Sequence, residues 1–138
     1  MNRFLLVAGV ALLAACGSDS PTGPSNPNSA SIAGTYQMRT VSGSPLPFTY
    51  QSGTTKVVIT SDVLVVADGG TWSETGAFTA SVNGQTSNQV ISDGGTWTRA
   101  GSAVSFYSSQ QGATSYAGTF TGSGFSLADD LFTYTFAK

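Results

Sequence analysis

The chain has 138 residues with five basic and seven acidic side chains, a net charge of −2, no histidine and a single cysteine. Without histidine, and with one thiol, the chain has no Ser-His-Asp or Cys-His catalysis and no His- or Cys-ligated zinc, haem or iron–sulfur site. Weak acidity without any Lys/Arg cluster argues against nucleic acid as a partner, and against charge-driven binding to acidic lipid.

In chain order, the first element is a signal segment. Met1-Asn2-Arg3 supplies one positive charge, and Phe4 to Ala15 follow without a charge. A basic start, a short apolar run and small residues at its end form a secretory signal. The apolar run of 12 residues is too short for a permanent span, which needs about 20. Its last residues, Leu13-Ala14-Ala15-Cys16, resemble the bacterial lipobox. The resemblance implies diacylglycerol transfer to the Cys16 thiol, cleavage before Cys16 and acylation of the new amino group. Small side chains at 14 and 15 let a peptidase approach the backbone, and the only cysteine of the chain stands where the motif needs it. The rival readings are an ordinary secreted protein with an unpaired cysteine, or a buried free thiol. Several acyl chains, each contributing about 0.8 kcal/mol per buried CH₂, would make a stable membrane anchor. Gly17 stands where an Asp would signal inner-membrane retention in Gram-negative lipoproteins, which favours the outer membrane.

Cleavage would remove residues 1–15 and leave 123, suited to one domain, with four basic against seven acidic side chains, net −3. Residues 16–30 carry three of the five prolines and no large apolar side chain, and read as a flexible, partly extended tether. Residues 31–138 read as one folded domain. Charged residues are only 9% of the chain, but aromatics reach 11% and alternate with polar residues, which a disordered segment would not show.

From Ile32 onward the period is two, punctuated by turns. Tyr36, Met38 and Thr40 share a face of the first strand. Val57 and Ile59 begin a second run and Val63 to Val66 a third. Ala67-Asp68-Gly69-Gly70 reads as a turn; Trp72, Phe78, Ala80 and Val82 then share one phase up to a hairpin at Asn83-Gly84. Val90 and Ile91 lie in a strand closed by Asp93-Gly94-Gly95, and Trp97 opens the next. Val104 and Phe106 alternate, Gly112 breaks the run, and Tyr116, Gly118 and Phe120 follow. Phe125 and Leu127 precede a turn at Asp129-Asp130, and Phe132, Tyr134 and Phe136 end the chain. No ten-residue segment carries a helical stripe.

The prediction is an all-β fold: an antiparallel up-and-down meander of about eight to ten strands closed into a small barrel, which removes exposed edges. A β-sandwich is the competing architecture. An internal echo, Asp68-Gly-Gly-Thr-Trp72 and Asp93-Gly-Gly-Thr-Trp97, lies 25 residues apart. It reads as a way of starting a strand; calcium is a weak alternative, since each copy offers one carboxylate where Ca²⁺ takes six to eight oxygens.

Gly34-Thr35-Tyr36 at the head of the first strand, the loop Gly43-Ser-Pro-Leu-Pro-Phe48, the Asp-Gly hairpins and the final strand Phe132-Thr-Tyr-Thr-Phe136 together resemble short bacterial lipoproteins described as lipocalin-like. The likeness covers residues 31–138 and implies a lipocalin-like barrel. Lipocalins open with Gly-x-Trp and follow the barrel with a helix; here Tyr36 stands for the Trp, and no chain is left for the helix.

Two residues past each tryptophan, in phase with it, stand opposite charges: Trp72/Glu74 and Trp97/Arg99. If the indoles point inward, a Glu–Arg pair beside them is a candidate small-ligand site, to which Tyr36 adds an aromatic wall. Otherwise these charges lie at the barrel rim in water, or a bulge at Gly76 reverses the phase of Glu74. Catalysis would have to run on carboxylates, Ser/Thr or Tyr. Only six carboxylates remain beyond the tether, mostly at turns, so the expectation is a non-enzyme with no cofactor and no metal.

Two functions fit. One is a lipid-anchored envelope lipoprotein whose lipocalin-like barrel binds a small apolar ligand or lipid. The other is a structural or interaction lipoprotein with a side-chain-filled barrel, including a protease-inhibitor-like binder of an envelope or secreted protein. In either case the partners are the membrane, through the lipid on Cys16, and a small ligand or envelope protein, and the chain is expected to be a monomer. A transmembrane β-barrel is a third reading, opposed by strands shorter than the 9 to 11 residues a span requires.

Overall fold

The computed structural model of the chain describes residues 31–110 and 115–138. The expected signal segment, the lipidation site Cys16, the tether and the break at Gly112 lie outside these residues. The described residues form ten strands: β1 (Gly34–Val41), β2 (Ser44–Pro45), β3 (Phe48–Ser52), β4 (Thr55–Val66), β5 (Thr71–Val82), β6 (Gln85–Ala100), β7 (Ala103–Ser108), β8 (Tyr116–Phe120), β9 (Gly124–Ala128) and β10 (Thr133–Ala137). Every pairing is antiparallel, and no helix occurs among the described residues.

From β4 to β10 each strand pairs with the next in sequence, and β1 closes the ring. The first part of β1, Gly34–Gln37, lies against Val63–Val66 of β4. Its later part, Gln37–Val41, lies against Tyr134–Ala137 of β10. Eight strands, β1 and β4–β10, thus form a small closed barrel, and the sandwich alternative falls. β2 and β3 flank the seam where β1 and β4 part, paired with β1 and β4 respectively.

Strand alternation sorts the sequence between lumen and water. Tyr36, Met38, Leu64, Val66, Trp72, Val104, Phe106, Phe120, Phe125, Leu127 and Phe136 are buried in one core. The residues between them, such as Thr35, Gln37, Thr71, Ser73, Thr75, Thr96, Thr98 and Thr119, are exposed. That outer surface is polar and nearly uncharged, unlike the apolar band a lipid-facing barrel presents. No helix among the described residues is long and apolar enough to cross a membrane.

Two sequence-based expectations change. The runs at Val57–Ile59 and Val63–Val66 are one strand, β4, with a bulge between Ile59 and Ser61. The extra residue, Thr60, turns outward and donates from Oγ1 to the Ala77 carbonyl at 2.8 Å. A bulge shifts the side-chain phase by one, so Asp62, Leu64 and Val66 face inward where Val57 and Ile59 alone would have put Ser61, Val63 and Val65. Asp93-Gly94-Gly95 is no turn; it lies inside the 16-residue strand β6.

The second copy of the echo therefore does something different from the first. Asp68-Gly-Gly-Thr-Trp72 makes the β4–β5 turn, with Gly70 at φ 81°. The Trp97 copy in mid-strand clasps that turn: the Trp97 amide donates to Gly70 O at 2.9 Å and Trp97 Nε1 to Ala67 O at 3.0 Å. In return Trp72 Nε1 donates to Thr96 O at 3.1 Å and to Tyr107 O at 3.2 Å.

The lumen has two unlike ends. One is bounded by the turns β4–β5, β6–β7 and β8–β9, and is filled by Tyr36, Trp72, Phe106, Phe120 and Phe125. Edge-to-face contacts link Tyr36 to Phe125 at 4.6 Å, Phe106 to Phe125 at 5.5 Å and Trp72 to Phe106 at 5.6 Å. The backbones press together here: a Cβ on Gly118 would lie 1.9 Å from Ser126 O. At the other end, β4, β5 and β6 run on past the ring, with β3 alongside, as an arm. β7 pairs with β6 only from Gly95 onward, so among the described residues Gln85–Asp93 pair as strand with β5 alone, with the Ser92 carbonyl accepting from Gln110 Nε2 on the other edge.

Candidate functional site

The open end holds the chemistry. A cavity of about 70 Å³ sits where the arm leaves the ring, walled by Met38, Ile59, Phe78, Leu127, Tyr134 and Phe136 among others. Two carboxyl groups, Asp62 from β4 and Glu74 from β5, also line it. Cross-strand register explains their meeting: Asp62 faces Gly76 and Leu64 faces Glu74, so the acids are diagonal neighbours on one face. Gly76 makes the room, since a Cβ there would lie 3.1 Å from Asp62 Oδ2.

Both acids are only 6% exposed. The Val63 amide lies beside the Asp62 carboxyl, and Glu74 has both Asp62 and the Tyr116 hydroxyl as near neighbours. Two acids buried side by side are stable only when one of them carries a proton. No N–H or hydroxyl donates to Asp62 Oδ1 or Glu74 Oε2, which are both buried. Burial pushes the Glu74 carboxyl up to about 9, reinforced by Asp62 and by the Asp93 charge and opposed by the Tyr116 hydroxyl. Burial also raises Asp62 above the usual carboxylate range, against the hydrogen bonds it receives. The phenols of Tyr116 and Tyr134 are raised by burial first; the Glu74 charge adds to Tyr116, and Asp129 adds to Tyr134. Tyr134 Oη donates to Asp129 Oδ2 at 2.7 Å, and Asp93 Oδ1 accepts from Ser108 Oγ at 2.7 Å.

Of the five residues singled out from the sequence, Glu74 lines this cavity and the other four do not. Trp72 is buried beside Glu74 on β5, its indole nitrogen used by backbone carbonyls. Tyr36 lies in the closed end and donates to Ile32 O at 2.7 Å. Trp97 is half-buried at the clasp. Arg99 lies at the β6–β7 hairpin, its guanidinium 5.1 Å from the Phe120 ring centre and Nε donating to Gly101 O at 2.5 Å. The group facing Glu74 is thus Asp62, not Arg99. Asp62, Tyr116 and Tyr134 went unread as site residues. The available signal was an aspartate in phase with Leu64 and Val66, hidden by the bulge at Thr60.

No protein-family model, no curated protein and no solved structure matches the chain. Among the described residues no group of three or more His, Cys, Asp or Glu side chains stands ready for a metal ion. What the site offers is a pair of acceptors at the floor of a narrow, mostly apolar cup.

Proposed function

We propose that this chain is a lipid-anchored envelope lipoprotein whose lipocalin-like barrel is a binding module, taking one small ligand at the open end of its lumen. One observation carries the binding part: two deeply buried carboxyls each keep an unpartnered oxygen beside an apolar cavity. A core evolved only to be filled satisfies or omits such groups, because each buried orphan costs about 1–3 kcal/mol or more. The anchor rests on Leu13-Ala14-Ala15-Cys16, and Gly17 favours the outer membrane. About 70 Å³ is the space of a few waters, far short of a whole acyl chain, so the ligand is small or enters by one end. The proposal is of binding rather than catalysis: an acid–carboxylate pair could serve as a dyad, but the cup has no room for a sugar ring or peptide with an attacking water.

Native mass spectrometry of the protein extracted from its own membrane tests this reading. The expected result is a lipid-modified chain with a small-molecule adduct that is lost in Glu74→Gln. A mass explained by the modified polypeptide alone overturns ligand binding. Labelled palmitate should enter the wild type and not Cys16→Ser; equal labelling of the two overturns the anchor.

A second reading, an interaction lipoprotein that docks an envelope or secreted protein, is favoured by the arm. Gln85–Ile91 carry no charge and, among the described residues, pair as strand with β5 alone, and Val90 is 72% exposed. An unpaired, uncharged strand edge is what an extended partner segment adds to.

A further inference from the structure

We propose that the open end of the lumen binds the protonated head of a small primary amine, with Asp62 and Glu74 accepting its N–H groups and the apolar wall holding its carbons. This rests on the binding-module reading and names its ligand class.

The floor of the cup offers acceptors. Asp62 Oδ1 and Glu74 Oε2 have no partner, and the Asp93 charge lies close enough to act on Glu74. An anion is repelled by the Asp93 charge and by the ionised member of the acid pair. A neutral alcohol brings one donor to two orphans. Ca²⁺ needs six to eight oxygens, and Mg²⁺ a near-ideal octahedron, where the two acids give a lopsided pair. A primary ammonium brings three donors on one compact centre, enough for both acids and the Tyr116 oxygen.

The walls fit the same guest. Methylene groups next to the nitrogen would lie against Met38, Ile59 and Leu127, and aromatic rings of Tyr134, Phe136 and Phe78 face a cation favourably. The volume of about 70 Å³ suits the nitrogen and a few carbons. A longer tail would leave past Ile59, Phe78 and Ile91, onto the arm face that carries half-buried Val57 and Ala80.

An ammonium would take the place of the proton that the acid pair otherwise shares. The groups facing Glu74 are Asp62 on β4, Asp93 on β6 and Tyr116 on β8. Tyr134 on β10 and Asp129 beyond it complete the set, while β1 and β9 bring only Met38 and Leu127 to the cavity. None is a cation. Because Glu74 holds its proton up to about 9, amine and proton compete below that pH, and binding should strengthen about tenfold per unit as pH rises toward it. A simple alkylamine stays charged to about pH 10.

The test is calorimetric titration of the full chain in non-ionic detergent with n-propylamine, n-propanol and propionate between pH 6 and 8.5. Propylamine should bind, release close to one proton across buffers of different ionisation enthalpy, and bind at least tenfold tighter at pH 8.5 than at pH 6. Glu74→Gln and Asp62→Asn should each weaken it at least tenfold; the wild-type proton count and pH profile decide the matter if either variant fails to fold. Propanol binding as well as propylamine overturns the amine while leaving a binding module. Propylamine binding that ignores pH and both substitutions overturns it as well. If none of the three binds and the membrane-extracted protein carries no adduct, both readings fall together.

Discussion

The barrel is one lumen with two opposite solutions to the same packing problem. At the closed end the aromatic side chains interlock, and their polar atoms are spent: Tyr36 on Ile32, Trp72 on two strand carbonyls, Trp97 on the neighbouring turn. At the open end two acids are buried just as deeply, yet oxygens are left over. The first arrangement stabilises; the second costs stability and is held in place by the first. A fold that concentrates satisfied contacts at one end can carry unsatisfied ones at the other.

The closed end should lose most when a side chain is truncated. Phe106→Ala removes a ring that touches both Trp72 and Phe125, and should cost about 3–5 kcal/mol, lowering Tm by well over 10 °C in thermal melts. Gly118→Ala should come next, at about 1–3 kcal/mol, because its methyl would collide with Ser126 O and force β8 away from β9. Denaturant titration checks it; an unchanged midpoint would mean the strands are not pressed together there.

At the open end the sign reverses. Glu74 binds its proton more tightly folded than unfolded, so stability is greatest below its ordinary value of 4.5 and declines as pH rises toward about 9. Asp62, raised in the same direction, adds to the decline. Tm of the wild type should therefore fall steadily between pH 5 and pH 9. Glu74→Gln should flatten that slope and melt higher than wild type at pH 8. A wild-type Tm that rises over this interval would contradict the buried pair. Smallest of all, Val90→Ser on the arm should change stability by less than about 0.5 kcal/mol, since Val90 is already exposed. Loss of a partner without loss of stability in that variant would favour the docking reading of the arm.

Most of the barrel was legible because its devices are local. Alternation in β1, β5 and β7–β10, and turns at Asp68-Gly69, Asn83-Gly84 and Asp129-Asp130, are written in neighbouring residues. Ring closure by β1, between β4 and β10, follows from the meander because no other partner removes both edges. The site was read only in part. Glu74 kept its phase with Trp72, so it could be placed in the lumen. Its neighbour could not, because the one-residue bulge at Thr60 moves Asp62 from one face to the other. Arg99 shares the phase of Trp97 and still lies far along the lumen from Glu74, because phase fixes the face of a strand and says nothing of depth. The second Asp-Gly-Gly misled for a related reason: glycine marks turns and also marks places where strands crowd, and a Cβ on Gly95 would fall 2.0 Å from Tyr107 O.

The chain enters the barrel through Ile32, which is packed into the aromatic plug, and β1 begins at that same end. Anything that holds the protein from its N-terminal side therefore grips it by the base, as a cup is fixed by its foot. The rim, the acids behind it and the arm lie at the opposite end of the barrel from the point where the chain enters it.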